Sequence, residues 1–135
     1  MAKYSFDRSG PWEEYANNVV HLKDEITEFK ADLAMGVDWH SLLAYESLFG
    51  TKKDIPPFVY MNFRVFFAST NASPQDYEFY KQIEVRCAKT AQTTIVLSSA
   101  DAKYFKEVAN ITCRVLNPTL PDHVMQFFES GTYVK

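Results

Sequence analysis

Histidine, cysteine and serine are the side chains on which most protein chemistry turns, and in this chain of 135 residues none of them stands in a reactive pattern. His21 and Glu25 lie one helical turn apart and could share a metal. A zinc site takes three or four ligands, however, and no second His or Cys pair stands at ligand spacing. His40, in the run Asp38-Trp39-His40, reads as a surface residue beside a helix cap and a core aromatic. Ser98-Ser99 lacks the flanking glycines of a strand-to-helix nucleophile elbow. The four glycines, at 10, 36, 50 and 131, are too dispersed for a phosphate-cradling loop and suit helix ends instead. Cys87 and Cys113 fall on the apolar side of expected strands, where a thiol is a small inert hydrophobe with a raised pKa. Two cysteines so far apart also make no disulfide framework. No catalytic residue, no metal and no cofactor is expected, and an enzyme here would need a site assembled from scattered residues.

Two constellations suit contact rather than catalysis. Arg64, Arg86 and Arg114 each fall in the middle of an alternating stretch, with Tyr60, Phe66 and Tyr80 on the same polar faces. On adjacent strands they would gather arginine and aromatic rings on one surface, a composition enriched at protein interfaces and used to stack single-stranded bases. Glu78 and Glu84 lie among them and oppose phosphate more than they oppose a protein. The second constellation is Asp24, Glu28 and Asp32, at four-residue steps near the end of an expected helix. Like charges and the helix dipole oppose that row by tenths of a kcal/mol, which a basic partner would relieve.

The chain as a whole narrows the classes further. Fourteen basic against seventeen acidic residues leave a formal charge of −3, which gives no general attraction to phosphate backbones or anionic membranes. A nucleic-acid role is therefore disfavoured without a local patch. No signal-peptide pattern and no uninterrupted apolar run of membrane-spanning length is present, so an intracellular, membrane-free protein is expected. The aromatic content of 16% is high and supplies large planar groups to a core or an interface.

The elements that must position these residues follow from periodicity. Trp12, Tyr15, Val19, Leu22, Ile26, Phe29 and Leu33 recur at three- and four-residue steps, predicting one long helix over 11–33 that starts at Pro11 and stops at Gly36. A shorter helix, Trp39 to Phe49, closes at Gly50 and completes a helical hairpin over 11–50. From Phe58 the period becomes two, predicting a strand over 58–67. Alternation over 77–87 predicts a second strand in preference to a helix beginning at Ser73-Pro74. Strands over 93–97 and 111–116, a brief helix over 99–109 and a last helix over 121–131 complete the chain.

The expected fold is α+β in a single domain over 1–135. An N-terminal helical hairpin packs on a mainly antiparallel sheet or small sandwich of four to five strands, built by residues 58–135 with short connecting helices. The expected function is that of a non-enzymatic protein-interaction or structural subunit of a larger assembly, of virion or accessory type, with a protein partner or its own copies. The alternative is a single-stranded nucleic-acid-binding module using the arginine and aromatic sheet face.

Overall fold

A computed structural model describes residues 10–50, 55–68 and 73–119. Helices and strands alternate along the chain. Helix α1 (Gly10–Val19) runs through a 3-10 turn at Val20–Leu22 into α2 (Lys23–Phe29), and then come β1 (Ala34–Val37) and α3 (His40–Phe49). Strand β2 (Phe58–Asn62), a 3-10 turn at Phe66–Ala68, α4 (Pro74–Thr90), β3 (Thr93–Val96), α5 (Ser99–Ala109) and β4 (Arg114–Val115) follow.

The α+β class holds, but the sheet is not antiparallel. All four strands are parallel and lie in chain order, β1-β2-β3-β4. The cause is α4. Residues 74–90 coil into a helix where the alternation of 77–87 predicts a strand, so a helix separates every consecutive pair of strands and returns the chain to the same end of the sheet. The buried side chains of α4 are Tyr80, Glu84, Cys87 and Ala88, a helical stripe with a carboxylate inside it. Read with period two, Glu84 belongs to a polar face, and that is what makes the residues look like a strand.

The helical hairpin expected over 11–50 does not form either: β1 (Ala34–Val37) lies between its helices and opens a sheet that periodicity places only from residue 58 onward. The remaining differences are local. The first helix ends at Lys30, which takes the left-handed conformation with φ 50°, rather than at Gly36. Gly36 sits inside β1, where a β-carbon would run into the side chain of Ser41 and the ring of Phe58. Strand β2 stops at Asn62 instead of 67. Helix α3, closed by Gly50 at φ 55°, and helix α5 lie where periodicity puts them, while the helix expected over 121–131 falls outside the described residues.

Crossovers of the usual right hand, taken always in one direction across a sheet, place their helices on one face. Burial agrees. The rows that turn inward are Ala34–Phe58, Gly36–Tyr60–Thr94 and Asn62–Val96. Phe58, Tyr60, Asn62, Thr94 and Val96 are all buried. Trp39 and Leu42 reach the same core, as do Tyr80, Cys87 and Phe105. Phe67, from the turn after β2, packs edge-on against Phe105 with ring centroids 5.5 Å apart.

Candidate interaction surface

Two places in this fold could carry function: the carboxyl edge of the sheet, where parallel sheets hold their ligands, and the face that the helices leave uncovered.

At the carboxyl edge the fold builds a polar cluster that is sealed from solvent. Asn62, the last residue of β2, donates from Nδ2 to the Tyr60 hydroxyl at 2.7 Å and to Glu84 Oε1 at 2.9 Å. The Glu84 carboxylate also accepts the backbone N–H groups of Phe66 at 3.1 Å and Phe67 at 3.2 Å. Those are donors that a short 3-10 turn cannot satisfy from within. Beside the cluster, Asp38 Oδ1 accepts the N–H of Phe63 at 3.0 Å. Burial dominates the titration of Glu84 and pushes its carboxyl up to about 7, against the pull of its hydrogen bonds from Phe66, Asn62 and Phe67. Burial likewise raises the Tyr60 phenol and the Cys87 thiol. Asn62 Oδ1 is buried with no hydrogen-bond partner among the described residues. The work visible here is mechanical: Glu84 ties the turn after β2 down onto α4. No oxygen of Glu84 meets solvent, since the residue is 0% exposed.

The sequence-derived contact residues disperse in this fold. Tyr60 and Tyr80 are core residues. Arg86 lies on α4, where its guanidinium donates to both carboxylate oxygens of Glu46 on α3. Arg64 stacks over the ring of Phe66 at 5.4 Å, and Phe66 stacks on Tyr80 with centroids 5.2 Å apart. Arg114 alone projects from a strand beyond this neighbourhood, exposed on β4. No single arginine and aromatic sheet face forms, because its second strand is a helix. The acidic row also divides: Asp24 and Glu28 are exposed on α2, whereas Asp32 lies beyond the left-handed Lys30 that ends it. His40 is half-buried with Tyr15 edge-on at 5.8 Å; burial lowers its pKa, and Asp38 opposes that shift. Among the described residues no group of three His, Cys, Asp or Glu side chains could hold a metal, and no described helix is long and apolar enough to cross a membrane.

The surface that does form is one that sequence reasoning missed. On the face of the sheet opposite the buried rows, register places Met35, Val59 and Thr93 side by side, with Val37, Met61, Ile95 and Arg114 in the next row. Met35 is 56% exposed and Val37 37%. Val59, Met61 and Ile95 are half-buried. Leu33 and Phe63, both exposed, extend the patch beyond the ends of β1 and β2. Those from β1, β2 and β3 are the odd members of strands whose even members make the core. A sheet that is parallel throughout is ordinarily covered on both faces, so an apolar face such as this asks for a cover.

No protein-family model, no curated protein and no solved structure matches this chain.

Proposed function

We propose that the chain is a non-enzymatic protein-interaction subunit, and that the apolar face of its parallel sheet receives an amphipathic helix from a partner protein. One observation carries this reading: large apolar side chains of β1, β2 and β3 stand in register on a face that the described helices touching the sheet leave open. Three inter-strand spacings of about 4.8 Å make the face roughly 14 Å wide, and four residues make it about 13 Å tall. That is the footprint of a helix. It is far short of the roughly 800 Å² per partner that a stable flat contact between two copies needs. Arg114 closes one end of the second row, so the helix that fits is apolar on its docking side and carries a carboxylate where it meets Arg114.

The test is a photo-crosslinking amino acid at Met61 of the full chain, expressed in its native cells. A crosslink to a helical segment of another polypeptide, lost when Val37→Lys is added, supports the reading. Crosslinks confined to residues 120–135 of the same chain, or none at all, overturn it. For the nucleic-acid alternative the fold offers little support: of the residues on which it rests, Tyr60 and Tyr80 are inside and Arg86 is paired with Glu46.

A further inference from the structure

Strand β1 lies at one edge of the sheet. Ala34 N donates to Pro57 O at 3.0 Å and Asp38 N to Met61 O at 2.9 Å, so its even-numbered residues bond to β2. In a parallel strand the alternate residues point their N–H and C=O the other way. Those of Met35 and Val37, about 6.6 Å apart, therefore face a side where no described strand lies. Exposed edges are ordinarily protected by charge, proline or a bulge, yet Ala34-Met35-Gly36-Val37 carries no charge and no proline.

A groove runs beside this edge. One cavity, of about 320 Å³, is lined by Tyr15 and Val19 of α1, by Ala44 and Leu48 of α3, and by all four residues of β1. A second, of about 400 Å³, is lined by Ile26 and Thr27 of α2 and by Pro56 and Pro57 before β2. Phe49, at the end of α3, borders both, so the two adjoin. The helices that wall them are acidic: Glu14, Asp24, Glu25 and Glu28 are exposed, while Lys23 is the single lysine or arginine of α1 and α2.

We propose that this edge is a second docking site, at which an extended, basic peptide segment of a partner protein adds as a strand beside β1. Its backbone bonds to Met35 and Val37, alternate apolar side chains enter the cavities, and flanking lysine or arginine residues meet the carboxylates of α1 and α2. The site uses the backbone of β1 and the helix side of the sheet, so it does not depend on the docking of a helix on the outer face. Charge also chooses between occupants. Two copies of this chain joined through β1 would bring two acidic helix walls together, whereas a basic peptide relieves the carboxylates of the same wall.

Panning a display library of short random peptides against the full chain tests this, with the enriched peptides then synthesised and amide exchange followed by NMR. Enriched peptides are expected to hold two large apolar residues with one residue between them, beside lysine or arginine. They should slow exchange of the Met35 and Val37 amides at least about tenfold while Tyr60 and Thr94 exchange as before. Tyr15→Lys, a change at an exposed position that removes an apolar wall and adds a charge like the peptide's own, should weaken their binding at least about tenfold. The proposal is overturned if no peptide is enriched, if the enriched peptides are acidic, or if they leave the exchange of Met35 and Val37 unchanged. Slow exchange of both amides in the peptide-free chain overturns it as well, because the edge is then already occupied, from within when light scattering shows a monomer and by a second copy when it shows a dimer.

Discussion

At the scale of single residues, Glu84 decides how stability depends on pH. Its folded pKa is raised from an ordinary 4.5 to about 7, so what it contributes is complete below about pH 4.5 and is lost as pH rises through about 7. The full swing is on the order of 3 kcal/mol at about 1.4 kcal/mol per pKa unit. His40 carries the opposite sign, its lowered pKa costing stability as pH falls, but it is common to the parent and any Glu84 variant. Glu84→Gln removes the titration but also replaces one of the two accepting oxygens with a donor, which costs stability at every pH. The pH-dependent part is separable: in urea unfolding the parent should lose stability relative to this variant between about pH 5 and about pH 9, and a difference between the two that stays constant across that range would show that the carboxyl is not the titrating group. Gly36 is a second single-residue constraint. Gly36→Ala forces a methyl between Ser41 and Phe58 and should cost about 1–3 kcal/mol, read as a lowered urea midpoint with an unchanged slope.

At the scale of elements, caps and periods explain which parts of the fold can be read from the sequence. Helix α5 is legible because Phe105 sits on an apolar stripe that begins after two serines, of which Ser98 rather than Ser99 is the cap and accepts from Asp101 N. Ser98→Ala should lower stability by about 1 kcal/mol through loss of that cap, a change that equilibrium urea unfolding resolves. Helix α3 and strand β3 are legible for similar reasons: one has a clean stop at Gly50, the other a β-branched run. Helix α4 is not legible from periodicity, since the buried carboxylate of Glu84 interrupts its apolar stripe and leaves an accidental alternation. Its start was the better signal. Ser73 caps it, Pro74 takes its first turn, and Asp76 donates its N–H back to Ser73 Oγ. Weighing that cap above the alternation puts Tyr80, Glu84 and Cys87 on one face and brings the polar cluster within reach of sequence reasoning. Strand β2 is half legible. Its alternation runs on past Asn62, but the backbone N–H groups of Phe66 and Phe67 find a carboxylate on α4 instead of a strand.

At the scale of the whole molecule, one misread element changes everything downstream. With 74–90 helical the sheet becomes parallel, the helices gather on one side, and odd and even residues of the same strand acquire opposite roles. That division makes a prediction that no single contact makes. Phe58 and Met35 lie on adjacent strands one residue out of register, Phe58 buried and Met35 56% exposed. Phe58→Ala should cost about 3–5 kcal/mol, the usual loss for an aromatic side chain taken from a packed core. Met35→Lys should stay within about 0.5 kcal/mol of the parent, as surface changes do. Thermal and urea unfolding of the isolated full chain measure both. If Met35→Lys proves as damaging as Phe58→Ala, the outer face is already covered within the molecule, and the docking of a partner helix there loses its ground. If the two separate as expected, the outer face is free in the isolated chain, and any partner helix that reaches it finds large apolar side chains already aligned in two rows.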